Sequence, residues 1–212
     1  VLAGLDEERC AQAMDAAWQR LADERTGIIR LLAPPFPPNG MDPGYIRGYP
    51  EGVRENGAQY THAACWVALA LIQMGDAARA HRAISMLLPP NHANSPEAAA
   101  RYRVEPYVVA ADVYDGVHAG RGGWTWYTGS AAWLYTCILA LLGFERRGGR
   151  VRLCALLGDW PEAAVTVRFG RSSYRLICRA GAQETSLDGT AIPGSWIELR
   201  DDGCAHEAVF PP

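Results

Sequence analysis

The feature that most constrains this chain is a change of hydrophobic period partway along it. Up to about Phe144 apolar residues recur at helical spacing, as in Cys10, Met14, Trp18 and Leu21 behind a capping Asp6. Beyond Arg150 they alternate. Val165, Val167 and Phe169 precede a Gly-Arg-Ser-Ser turn and Tyr174, Leu176 and Cys178 follow it, the period of half-buried antiparallel strands. Asp188-Gly189 and Asp202-Gly203 add hairpin signals. The two periods predict a mainly α body over residues 1–148 and a small antiparallel β-sheet domain over 149–212, divided at Gly148-Gly149. No cluster of convergent polar groups is legible in the second part, which reads as a packing module.

Within the first part, a second helix is expected from about Asn56 through Gln73, closed by Gly75. Asp76 caps a third that stops at Pro89-Pro90, and Ser95-Pro96-Glu97 opens a fourth. Thr128 or Ser130 starts the last one, ended by Gly143. Its apolar run, Ala131 to Phe144, falls short of the roughly 20 residues of a membrane span. Between the first two helices the Pro- and Gly-dense stretch APPFPPNGMDPGYIRGYPEG has no periodicity of its own, which in a compact domain marks a functional or disordered loop.

Composition removes several function classes. The 20 basic residues are all arginine and face 23 acidic ones, a net charge of −3, so no positive field is available for nucleic acid or an anionic membrane. Without lysine there is no Schiff-base or P-loop chemistry. Six cysteines lack CxxC spacing and partner histidines, which predicts reduced core thiols, no metal and a reducing compartment.

Two stretches are dense in chemistry. GRGGWTWYTGSAAWLY, Gly120 to Tyr135, sets Thr128-Gly129-Ser130 at a helix N-terminus, whose open N–H groups and partial positive charge suit an anion. Trp124, Trp126 and Tyr127 offer faces on which a sugar ring can stack, although capping and core packing account for the same residues. GYPEGVRENGAQYTHAACW gathers Arg54, Glu55, Gln59 and His62. If the helix begins early, Glu55, Gln59 and His62 share one face at i, i+4 and i+7 and form a polar pocket rim.

Taken in order, GYIRGYPEGVRENGAQYTHAACW, EPYVVAADVY and GGWTWYTGSAAWLY closely resemble the C-terminal part of the inverting β-glucoside phosphorylases of glycoside hydrolase family 94. Their form is most similar to the phosphorylase region of cyclic β-1,2-glucan synthases, and the resemblance runs from about Leu5 to Phe210. It implies a partial (α/α)6 barrel followed by a β domain. It also implies that His62, Thr128 and Gly129 contact phosphate, and that Tyr49, Arg54, Glu55 and Trp126 line the sugar subsites. Gln59 joins them on helical spacing alone.

The implied reaction is phosphorolysis with inorganic phosphate as co-substrate, no cofactor and no metal. The family's general-acid aspartate and a phosphate-binding arginine belong to an upstream motif that has no match here, so no catalytic residue is assigned on this chain. Its expected partners are β-glucan, phosphate, and the remainder of a parent enzyme or a second copy of the chain covering the open face of a half-barrel. No nucleic acid and no direct membrane contact are expected. By the same resemblance the segment is cytoplasmic, in a parent anchored to the inner membrane upstream. Two other readings stand beside this one. One is a non-catalytic carbohydrate-binding or structural module. The other is a self-sufficient glycosidase with Glu55 as acid and Asp112 or Glu105 as base.

Overall fold

The computed structural model describes residues 1–212, which form two compact units, Val1–Cys137 and Ile138–Pro212. In the first unit α1 (Glu7–Leu21) begins where Asp6 Oδ1 accepts the Arg9 N–H at 2.9 Å. The strand pair β1 (Ala22–Asp23) and β2 (Ile28–Ile29) follows, then the long Pro/Gly loop with a short 3-10 turn at Gly44–Gly48. Next come β3 (Gln59–Tyr60), α2 (Thr61–Gln73) and α3 (Ala77–Leu87). Asp76 Oδ1 caps α3 through the Arg79 N–H at 3.0 Å, as its position predicts. α4 (Pro89–His92) is a single turn, and α5 (Pro96–Tyr102) starts at Ser95, whose Oγ accepts the Ala98 N–H at 3.1 Å. β4 (Asp112–Val113) pairs antiparallel with β3, and α6 (Thr128–Leu141) ends just before Gly143. None of these helices is long and apolar enough to cross a membrane.

α2 starts five residues later than the spacing predicts, and the reason lies in its approach. Asn56 is 1% exposed, and its side chain bonds the Phe36 N–H (2.8 Å), the Phe36 carbonyl (3.1 Å) and the Tyr49 carbonyl (3.0 Å). Gln59 is equally buried, and its Oε1 accepts the Ile29 N–H at 2.9 Å from within β3. Long-range polar bonds thus take residues 56–60 away from the helix. Glu55, Gln59 and His62 share no helical face, and the spacing argument that put Gln59 in a pocket fails.

The second unit corrects the expected boundary. β5 (Phe144–Arg147) and β6 (Arg150–Leu153) form a hairpin whose tip is Gly148-Gly149, so the diglycine is a turn inside the β unit and the division falls earlier, within α6. The remaining strands are β7 (Glu162–Phe169), β8 (Ser172–Arg179), β9 (Ser186–Leu187), β10 (Thr190–Ala191), β11 (Ile197–Glu198) and β12 (Ala205–Phe210). They make a three-stranded sheet, β11-β6-β5, and a five-stranded sheet, β10-β9-β12-β8-β7. The second is mixed and not wholly antiparallel, because β12 pairs parallel with β8 after a crossover through β9, β10 and β11. Alternation reports which face is buried and is blind to strand direction. Val151, Leu153, Tyr174, Leu176, Cys178, Ile197 and Phe210 form the core of this unit.

Nor does the β unit lack a polar cluster. His206 Nδ1 lies 2.7 Å from Asp188 Oδ2, and its Nε2 lies 3.2 Å from both oxygens of Asp202. Ser172 Oγ donates to Asp202 Oδ1 at 3.0 Å, and Tyr174 stacks on the imidazole at 4.6 Å between centroids. The two Asp-Gly turns read from the sequence are thereby fastened to β12. The bonds to Asp188 and Asp202 raise His206 above its ordinary 6.5. Asp188 is lowered chiefly by His206, and Asp202 by the Cys204 N–H and then His206, both from 3.8. A raised histidine stabilises fully below its unfolded value and loses that contribution as pH climbs through its folded value. The lowered carboxylates stabilise above 3.8 and lose it as pH falls through their folded values. The contribution therefore peaks between 3.8 and 6.5. The urea midpoint of the unit should fall as pH rises from about 6 to about 9, and His206→Gln should flatten that slope.

Candidate active site

Two aligned contacts fix how α2 and α6 run. Near the entries to the helices, Tyr127 and burial push the Tyr60 phenol up to about 12. His62 stacks on Trp133 at 5.5 Å. Further along, the Cys137 thiol donates to the Cys65 carbonyl at 3.3 Å. Residue numbers rise together on both helices, so the two are parallel and their N-termini lie at the same end. The positive ends of two helix dipoles lie at that end, although the first N–H of α2, that of Thr61, is already taken by the Ala111 carbonyl at 2.9 Å. Thr128 and Gly129 form the exposed first turn of α6, and no side chain caps α2.

His62 is held on two sides, by Trp133 and, edge to face at 4.9 Å, by Trp66. Its Nε2 is buried and has no hydrogen-bond partner. A buried ring nitrogen normally finds one, so this atom stands ready for a ligand. Ser130 is fully buried with an unpartnered Oγ, unlike its exposed neighbours Thr128 and Gly129.

A second group is built on the loop before β3. Arg54, at a left-handed φ of 49°, lies with its guanidinium 4.4 Å from the Trp124 ring centre and 5.5 Å from that of Tyr49. Its Nε meets Glu55 Oε2 at 3.4 Å, while Nη1 is buried without a partner. Burial works against the Arg54 charge, yet Asp112, then Glu55 and Tyr49, tip the net shift upward. Trp126, at a φ of 59°, is 66% exposed and meets Tyr107 edge to face at 6.3 Å. Of the residues expected from the sequence, Tyr49, Arg54 and Glu55 lie together, His62 reaches the α6 side through Trp133, and Gln59 bonds the Ile29 N–H of β2.

Asp112 is wholly buried, and neither carboxylate oxygen has a hydrogen-bond partner. Burial pushes its pKa up and Glu55 adds to that, against the Arg54 charge and the nearby Trp124 and Arg54 N–H groups. A carboxylate sealed in this way cannot activate water, which removes Asp112 as the base of a self-sufficient glycosidase. The sequence did not point to Trp66, Trp133 or Asn56. The two tryptophans read as ordinary helix-face residues, and the partners of Asn56 are distant in the chain.

No three of its histidine, cysteine, aspartate and glutamate side chains gather as a metal-holding group. The first 143 residues match the model of the glycosyl hydrolase 94 superfamily, catalytic domain. The chain belongs to this superfamily. It is 49% identical over 174 residues to the cyclic beta-(1,2)-glucan synthase NdvB of Rhizobium meliloti (strain 1021), covering 81% of this chain and 6% of that protein. It is 28% identical to the solabiose phosphorylase of Paenibacillus borealis, over 97% of this chain and 28% of the relative. For the N,N'-diacetylchitobiose phosphorylase of Vibrio proteolyticus the identity is 30%, over 92% and 25% respectively. The chain thus spans under a third of each of these glycosyl hydrolase 94 relatives.

Proposed function

We propose that this chain supplies the phosphate seat and one sugar-facing wall of an inverting β-glucan phosphorylase or glucosyltransferase of the cyclic β-1,2-glucan synthase type, within a partial (α/α)6 barrel completed by the rest of a parent enzyme. The observation that carries the reading is the buried, unpartnered Nε2 of His62, whose ring stacks on Trp133 of α6. His62 donates a ring N–H to phosphate, Thr128 its hydroxyl and Gly129 its backbone N–H. Tyr49, Arg54, Glu55 and Trp126 face the glucosyl unit.

Phosphate attacks the anomeric carbon from the face opposite the leaving group. A carboxylic acid outside this segment protonates the glycosidic oxygen as the bond breaks. The products are α-glucose 1-phosphate and a glucan shortened by one unit, and the reverse reaction lengthens it. Phosphate is itself the nucleophile, so no second carboxylate is required; donors held in advance around a dianion are. The reaction takes place on the cytoplasmic side.

The direct test is Thr128→Val in the longest natural polypeptide containing this segment. Loss of one hydroxyl donor at nearly constant shape should raise the KM for phosphate roughly tenfold and leave the melting temperature in place. A variant with unaltered phosphate dependence would contradict the assignment. The exposed Tyr107, Trp124 and Trp126 favour a second reading, a non-catalytic carbohydrate-binding module. Under it, glucan binding persists and phosphate has no effect on any variant.

A further inference from the structure

A histidine that serves a ligand through one ring nitrogen is ordinarily oriented by a hydrogen bond at the other. His62 has no such bond: Nε2 is buried and unpartnered, and no group of the chain bonds Nδ1. Aromatic rings surround it instead. Trp133 of α6 lies nearly parallel to the imidazole, at 5.5 Å and 26°, and Trp66, one turn on along α2, meets it at 4.9 Å and 76°. The two indoles also meet each other edge to face, at 5.9 Å and 82°. Tyr60 stands farther off, at 6.4 Å. A lone stacked pair can slide in its plane, but a ring wedged between two mutually perpendicular indoles has its tilt and its depth both set. Trp133 is half-buried and Trp66 is 47% exposed, so Trp133 is the fixed side of the wedge.

We propose that Trp133 is a positioning residue: its indole, braced by Trp66, sets the plane of the His62 imidazole and so aims Nε2 at phosphate. Trp133 itself donates nothing to the anion. Its effect passes through His62, so it belongs to phosphate binding and not to glucan recognition. Packing here takes the place of the hydrogen bond that would otherwise fix the ring, and it keeps water from Nε2. The inference rests on the proposed reading of His62 as a phosphate donor.

The experiment is a double-mutant cycle in the longest natural polypeptide containing the segment, with Trp133→Leu, His62→Phe and the pair. Phosphate KM and kcat/KM are read by initial rates, and affinity for a linear β-1,2-linked glucooligosaccharide by calorimetry. Trp133→Leu should raise the phosphate KM roughly tenfold and leave glucan affinity within about twofold. Trp133→Phe keeps a ring against the imidazole and should stay within about threefold of the parent. In the His62→Phe background Trp133→Leu should change the phosphate kcat/KM by less than about twofold, because the group it positions is already gone. A merely structural tryptophan would act alike in both backgrounds. Trp66→Leu, at the more exposed ring, gives the same pattern should Trp133→Leu fold poorly. Full additivity, an unchanged phosphate KM, equal losses for the leucine and phenylalanine variants, or an equal loss of glucan affinity overturns the proposal. His62→Phe with the parental phosphate KM overturns the functional reading and the proposal with it. A phosphate defect at His62 with none at Trp133 or Trp66 overturns the proposal alone.

Discussion

His62→Ala in the intact parent enzyme should lower phosphate-dependent turnover of a β-glucan by on the order of 10²-fold or more, with glucan affinity nearly unchanged. The imidazole is the group at the paired helix ends with a buried donor to spare, and donors already in place at the nucleophile spare the reaction the cost of reorganising water. Its removal also leaves a gap between Trp66 and Trp133. His62→Phe separates the two effects, since it keeps an aromatic ring in the slot and lacks the nitrogen. Both variants should lose phosphate use, whereas only the alanine variant should lose melting temperature. Initial rates across phosphate concentration, with calorimetric glucan binding alongside, check this. An alanine variant with the parental phosphate KM sinks the assignment.

Gly143→Ala should be among the most damaging small substitutions in the chain. Gly143 sits at a φ of +56°, and a Cβ there would lie 1.9 Å from the Cys154 carbonyl oxygen, a backbone atom with no rotamer through which to retreat. The left-handed conformation costs a non-glycine residue about 1–2 kcal/mol, and forced displacement of packed backbone adds about as much again. For a unit of this size the sum corresponds to a fall in melting temperature of roughly 10–20 °C. Gly148→Ala is the internal control, because it shares a positive φ but meets nothing within 4 Å. It should lose only the conformational part. Equal melting temperatures for the two variants would show that the contact with Cys154 carries no weight.

What the sequence made legible follows from the range of the interactions involved. The caps at Asp6, Asp76 and Ser95, the stop at Pro89 and the Asp188-Gly189 hairpin depend on partners within a few residues, and the structure has each of them. The start of α2 was misread because Asn56 and Gln59 bond to segments 20 and 30 residues away, and helical spacing carries no trace of such partners. The parallel pairing of β8 with β12 escaped for the same reason. At the site, the residues came from ordered motifs, but what surrounds them did not. Trp133 against His62 is a contact made by the fold. The polar cluster at His206 joins two turns that read separately as mere punctuation.

Asn56 bears on how such a loop can vary. By bonding Phe36 and Tyr49 together with one side chain, it closes the Pro- and Gly-rich stretch at its base, while Met41 and Tyr45 stand 80% and 73% exposed along it. Above that base only the Arg47 bond to the Pro38 carbonyl, at 3.1 Å, ties the two arms by a side chain. Residues can be inserted or exchanged in the tip for a small entropic charge, with the guanidinium wall below undisturbed. The stretch is an interchangeable fitting on an unaltered chassis.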